Sequence, residues 1–380
     1  MTYKKLFEPG KIGNVTIKNR VVMPPMGTGL AFFSGEASPD IIRYYEERAR
    51  GGCGLIITEI TRIDDERGWG LARQLAASKA GYIQGLQRLV DTVHKYGTKI
   101  FIQLHHPGRE GHARINPNNN QIVAPTAMVT KICTEMPHEL TTEEAEALVR
   151  KYVVGAVIAK AAGADGVELH AAHGYLINQF LSPFSNKRTD KYGGSFEKRM
   201  RLIEEIIFGI RKTCGKEFPI GVRLSVDEFM GDQGITLEMG VKIAQHLEKI
   251  GVNHIHVSCG IYETGYHIIP VYTFPQACRK DLAKAVKDAV SIPVISINNI
   301  KEPKVAEQLL EEGVCDFVAV GRGQLADPEW TNKARWGEDI AIRKCIGCLR
   351  CIESIARGRH LECSVNPRLG RELEFDRPEM

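Results

Sequence analysis

The sequence predicts a (β/α)8 barrel of the α/β class, and three observations carry that prediction. Eight short β-branched runs recur along the chain, and helical stretches lie between them. Polar side chains gather just past the C-terminal ends of the runs.

The first two runs are Arg20–Pro25 and Gly54–Glu59. A helix is expected over Ala77–Tyr96, where apolar residues fall at helical spacing, and Lys99–Leu104 follows as the third strand. The next helix spans Thr141–Ala162. Read as opening on Thr142, it has Ala145 three residues on and so lacks a full capping box, but Glu143 and Glu144 suit its first turn. Strand Asp165–His170, helix Glu197–Cys214, strand Ile220–Val226, helix Leu237–Ile250 and strand Asn253–Ser258 continue the alternation. Strand Ile292–Ile297, helix Lys304–Glu312 and strand Asp316–Val320 complete it. Glycines at 51, 163, 251 and 313 stand before the next strand, where a helix C-terminus favours them. The strands are nearly continuous apolar runs, as parallel strands covered on both faces must be. An open dinucleotide-binding sheet would carry G-x-G-x-x-G after its first strand, and the chain has none.

With 380 residues there is room for one large barrel, expected over 1–340, and a small appendage over 341–380. Apolar residues make up 43% of the chain, enough to bury a core and to exclude disorder. The 50 basic and 46 acidic residues are interspersed, which gives no footprint for a nucleic acid. No apolar run approaches the roughly 20 residues of a membrane span. The opening MTYKKLFEPGKIG lacks the apolar stretch of an export signal, so a cytoplasmic location is expected.

Four of the ten cysteines, Cys345, Cys348, Cys351 and Cys363, form C-x2-C-x2-C-x11-C. Three close thiolates with a fourth downstream suit the corners of a [4Fe–4S] cubane. Tetrahedral zinc is the alternative, although zinc sites usually pair two separate C-x2-C units. The other six read as small buried hydrophobes.

At the strand ends, His170, His173 and Tyr175 place two imidazoles and a phenol together. They could hold a carbonyl oxygen, stabilise charge developing there, and deliver a proton. Gly321 and Arg322 after strand eight, with Asn298 after strand seven, could cradle a phosphate. Arg223 lies inside an apolar strand, where a cation must be paired or face a ligand. Gln103 could read the edge of a heterocycle through its amide.

These residues together resemble the old yellow enzyme superfamily. The closer resemblance is to its iron–sulfur branch of NADH:flavin oxidoreductases, which includes 2,4-dienoyl-CoA reductase, 2-enoate reductase, bile-acid 3-oxo-steroid reductases and trimethylamine dehydrogenase. It runs from LFEPGKIGNVTIKNRVVMPPM through FIQLHHPGR and GVELHAAHGYLINQFLSPFSNKRTDKYGGSFEKRMR. It continues through GVRLS and VAVGRGQLADPEW to CIGCLRC and CSVNPRLGRE. The resemblance implies FMN lined by Pro24, Pro25, Met26 and Gly27, with Gln103 and Arg223 on its ring and Asn298, Gly321 and Arg322 on its phosphate. It implies Tyr175 as proton donor, His170 and His173 as the carbonyl-binding pair, and His267 as a second acid.

The sequence departs from that pattern in places. Pro25 stands where relatives with covalent flavin have cysteine, Gly27 where some have a thiol, and Asn298 where many have glycine. Many relatives continue into an FAD- and NAD(P)H-binding region. The implied function is reduction of the C=C bond of an unsaturated carbonyl compound (an enoate, an enoyl- or dienoyl-CoA, or a 3-oxo-Δ4-steroid). Electrons would come from a donor domain or protein through the [4Fe–4S] cluster to FMN. An amine dehydrogenase and an electron-transfer subunit are the alternatives, and a homo-oligomer is expected.

Overall fold

The computed structural model describes residues 2–297 and 299–376. Its first strands are β1 (Gly10–Ile12), β2 (Val15–Ile17), β3 (Val21–Met23), β4 (Leu55–Ile57), β5 (Thr61–Arg62) and β6 (Lys99–His105). Then follow β7 (Val123–Ala124), β8 (His138–Glu139), β9 (Gly166–Ala171), β10 (Ile220–Ser225), β11 (His254–Ser258), β12 (Val294–Ser296) and β13 (Phe317–Ala319). The eight runs expected from the sequence are β3, β4, β6 and β9 to β13. They pair in parallel in the order β4-β3-β13-β12-β11-β10-β9-β6, and β4 also pairs with β6, which closes the barrel. Among the described residues no helix is long and apolar enough to cross a membrane.

Helices at 83–94, 142–161, 196–214, 237–249 and 303–311 match the expected ones to within a few residues, the first preceded by a short 3-10 turn at 80–82. Helices Pro39–Arg50 and Lys280–Lys287 were not expected. The first is rich in charge, which masks its apolar stripe of Ile41, Tyr44, Tyr45 and Ala49, and the second is only two turns long. The cap of helix Thr142–Ala161 also corrects the sequence reading. Its N-cap is Thr141, one residue earlier, and a complete capping box forms with Glu144. Thr141 Oγ1 accepts from Glu144 N at 3.2 Å, and Glu144 Oε2 accepts from Thr141 N at 2.9 Å.

Two apolar cores result. The larger lies between the strands and the surrounding helices. The smaller fills one half of the barrel with Val22, Leu55, Ile57, Phe101, Ile295, Phe317 and Ala319. Ile12 and Ile17 of the antiparallel β1–β2 hairpin join it at the N-terminal end, so the hairpin stoppers the barrel there. The other half of the interior is polar. Gln103, Glu168, Gly221 and His254 are successive partners across β6, β9, β10 and β11, with His170, Arg223 and His256 in the next layer towards the mouth.

Gly221 has a steric role in this layer. A Cβ there would lie 1.8 Å from His254 Cε1, so the missing side chain makes room for the imidazole. Moving His254 would disturb its 3.4 Å contact with Glu168. Gly221→Ala is therefore expected to cost about 1–3 kcal/mol through overpacking, read as a lower urea midpoint. An unchanged midpoint would mean that the layer relaxes freely.

Candidate active site

Barrel strands point their C-terminal ends at one mouth, and the polar residues expected there do meet. The chain leaves β9 through His170 and turns sharply, with His173 at φ 64° and Gly174 at φ 82°. It then enters the short helix Leu176–Leu181, for which Tyr175 is the N-cap residue. Two buried amides hold this turn. Asn178 Oδ1 accepts from Gly174 N at 2.6 Å, and Gln179 Nε2 donates to Gly174 O at 2.6 Å and to Pro107 O at 3.1 Å. Gln179 thereby ties the loop after β9 to the loop after β6.

Four rings pack around one point. The Tyr175 ring centre lies 4.5 Å from that of His105, 4.8 Å from His170 and 6.2 Å from His173. Ala172 N donates to His170 Nδ1 at 3.3 Å, so the His170 proton resides on Nε2. His173 Nε2 lies 2.6 Å from Ser258 Oγ, and its backbone N donates to Ser225 Oγ at 2.9 Å. Ser225 Oγ in turn donates to Gly260 O at 2.8 Å, joining the loops after β9 and β11. Burial holds the pKa of His105, His170 and His173 well below the ordinary imidazole value; His106 adds to this at His105, His173 and His105 at His170, and Arg223 at His173. All three are neutral at pH 7 and can act as dipolar donors. Burial also raises the Tyr175 phenol, which keeps its proton.

The residues expected to bind a cofactor lie on the loops after β3 and β13 and on β6 and β10. Pro24 and Pro25 are buried, with Met26 and Gly27 half-buried beyond them. A Cβ on Gly321 would lie 3.2 Å from Pro24 Cγ and 3.3 Å from Met26 Sδ, so the loops after β3 and β13 touch. Arg322 Nη2 donates to Pro270 O at 2.7 Å. Asn298 lies outside the described residues. Gln103 donates to Glu168 at 2.7 Å through Nε2. Among the described residues expected to bind a cofactor, three buried polar atoms have no protein partner: Gln103 Oε1, Arg223 Nε and Arg322 Nη1. Buried polar atoms are rarely left unpaired, and an acceptor, a cation and a second cation here suit a ring edge and an anion.

His267 stands apart from this group. Its ring stacks on Phe229 at 3.8 Å, and its Nδ1 takes a hydrogen bond from Arg279 at 2.5 Å. The second hydroxyl beside Tyr175 belongs to Tyr262, whose OH is 2.8 Å from the Tyr175 OH. Tyr262 was not singled out in the sequence, although it lies in the same loop as His267. His105 and Ser258 were not assigned roles either. No local pattern marks them, because the barrel closure brings them to the site. Glu110 also lies buried at this wall, and burial pushes its carboxyl up to about 8.

The C-terminal segment folds against the loop after β3. Leu361 N donates to Thr28 O at 2.8 Å, and Asn366 Nδ2 donates to Leu325 O at 2.8 Å. Cys345, Cys348, Cys351 and Cys363 line one concavity, with Arg322 in its wall. Among the described residues no three His, Cys, Asp or Glu side chains converge on a point for a single ion. A cubane instead takes its thiolates one at each of four corners around a larger body. The four free thiols around one hollow fit that demand.

Comparison with known proteins adds to this geometry. Residues 5–339 match the NADH:flavin oxidoreductase / NADH oxidase family. An NADH oxidase of Thermoanaerobacter brockii is 48% identical over 372 residues, which are 97% of this chain and 57% of that protein. An N,N-dimethylglycine/sarcosine dehydrogenase of Chromohalobacter salexigens is 35% identical, covering 98% of this chain and 54% of its own length. A cinnamate reductase of Clostridium sporogenes is 32% identical, covering 98% and 59%. The solved complex of 2-naphthoyl-CoA reductase with 2-naphthoyl-CoA superposes with a TM-score of 0.93 at 31% identity, over 97% of this chain and 58% of that one. The chain thus spans little more than half the length of these relatives.

Proposed function

The chain belongs to the NADH:flavin oxidoreductase / NADH oxidase family, and from that premise we propose that it binds FMN and reduces the C=C bond of an α,β-unsaturated carbonyl compound. The observation that carries this reading is the buried set of two neutral imidazoles and a neutral phenol at the barrel mouth, next to the unpaired Arg223. A cinnamate reductase and a 2-naphthoyl-CoA reductase among the similar proteins support the substrate class.

In this reading Gln103 and Arg223 hold the flavin ring, Pro24 to Gly27 line it, and Gly321 and Arg322, with Asn298, hold its phosphate. Bound FMN supplies a hydride for the β-carbon. His170 offers its Nε2–H to the carbonyl oxygen, and His173 stands beside it with its ring held by Ser258. A neutral donor is well suited to charge that grows only as the reaction proceeds, because it need not be desolvated at that moment. Tyr175 gives its proton to the remaining carbon. Tyr262, bonded to the Tyr175 oxygen, replaces His267 as the second acid of the site. The four cysteines would hold a [4Fe–4S] cluster, which would supply single-electron transfer from an FAD- and NAD(P)H-binding donor.

Reduced holoprotein, prepared with dithionite and mixed anaerobically with a panel of enones, enoates and enoyl thioesters, is expected to regain its flavin absorbance with at least one of them. Failure across the panel would overturn the reading. The dimethylglycine/sarcosine dehydrogenase similarity favours a second reading, amine oxidation. Flavin bleaching by tertiary amines, without any response to unsaturated carbonyls, would select it.

A further inference from the structure

Glu168 is a fully buried carboxylate in the barrel interior, and the reaction outlined above does not use it. A lone charge there would be costly, so its partners matter. Its Oε1 accepts from Gln103 Nε2 at 2.7 Å. Its Oε2 lies 2.9 Å from His256 Nδ1 and 3.4 Å from His254 Nε2. Burial works against its charge, but His256 and His254 outweigh burial and hold the carboxyl well below the usual range.

An ionised carboxylate only accepts hydrogen bonds. Each group facing it must therefore present a hydrogen, which settles the Gln103 amide. With the amide reversed, two oxygens would face each other at 2.7 Å. The NH2 group is thus consumed below, and Oε1 is left buried, unpartnered and able only to accept. The same logic puts the His256 proton on Nδ1 and leaves its Nε2 as a buried acceptor without a partner, beside Arg223 in the register.

We propose that Glu168 is a positioning residue: it locks the Gln103 amide as an acceptor, so that the ring site selects a heterocycle edge bearing an N–H. This rests on the proposed flavin site. The pyrimidine edge of an oxidised flavin carries one such group, N3–H, between two carbonyls. A flavin methylated at N3 keeps the ring, the phosphate and the redox chemistry but cannot donate there.

The experiment compares FMN with N3-methyl-FMN in binding to apoprotein, followed by flavin fluorescence quenching. The wild-type protein is expected to prefer FMN by about 10- to 100-fold, the range for leaving one buried polar group unpaired. Glu168→Gln keeps the shape but can donate or accept, so the Gln103 amide is released and the preference should shrink to near unity. Glu168→Asp keeps the charge and should restore part of it. Should the Gln variant fail to fold, Gln103→Met leaves the carboxylate and both imidazoles in place and should also abolish the preference. Equal binding of the two flavins by wild-type protein would overturn the proposal alone. So would a full preference in Glu168→Gln, or in Gln103→Met. Failure of wild-type apoprotein to bind FMN at all would overturn the flavin reading and this inference with it.

Discussion

Tyr175→Phe slows the reoxidation of reduced flavin by an unsaturated carbonyl by about 10²- to 10⁴-fold, the usual contribution of a positioned general acid. The substitution removes one oxygen and leaves the ring packed against His105 and His170. The loss should therefore appear in the chemical step and not in folding. Reoxidation by ferricyanide needs no proton from the protein and should keep its rate. Stopped-flow traces with both oxidants check this, and equal slowing of the two would point to a damaged flavin site instead. Tyr262→Phe should give a smaller loss, because Tyr175 still carries its own proton. If Tyr175→Phe reduced alkenes at the full rate, the proton would have to come from elsewhere.

Glu372→Ala is expected to destabilise the chain by about 3–5 kcal/mol, the cost of leaving a buried charge uncompensated. Arg48 Nη1 and Glu372 Oε1 form an ion pair at 2.7 Å, with side chains 0% and 3% exposed. It joins helix Pro39–Arg50 to the C-terminal segment. Without Glu372, Arg48 keeps among the described residues the Tyr44 and Gln324 carbonyls and the face of the Tyr44 ring. Guanidinium denaturation measures the loss, and proteolysis between residues 345 and 370 should quicken with it. The double change Arg48→Met with Glu372→Leu should recover most of the stability, because it removes both charges together. A loss under 1 kcal/mol in Glu372→Ala would mean that water reaches Arg48.

The barrel was legible in the sequence because its strands are buried on both faces. Runs such as KIFIQL and GVELH therefore stand out as unbroken apolar stretches closed by polar ends. Helix Pro39–Arg50 escaped notice for the opposite reason. Its buried apolar residues Ile41, Tyr44, Tyr45 and Ala49 do fall at helical spacing, but buried Glu47 and Arg48 interrupt that stripe and half of its residues are charged. The capping box was misplaced because Thr141 and Thr142 are adjacent, and only the backbone conformation tells which of them stands outside the helix. At the site, His170, His173 and Tyr175 share one short segment and could be found together. Tyr262 and Ser258 come from β11 and the loop after it, and only the closed barrel brings them to that segment; Glu168 stands two residues before His170 on β9, but its partners His254 and His256 lie on β11. The resemblance implied His267 as a second acid, but the loop turns its ring onto Phe229. The cysteine segment, expected as an appendage, is anchored on the loop that follows β3.

The backbone at His173 carries a consequence for how this protein evolves. Its φ of 64° belongs to the left-handed region that glycine occupies without strain. Selection for robustness alone would favour glycine at that corner, and many independent lineages would be expected to drift towards it. In the proposed mechanism, an imidazole held there trades some durability for turnover. The residue thus records which of the two demands has prevailed, and engineers seeking a hardier scaffold would find it a tempting change to avoid.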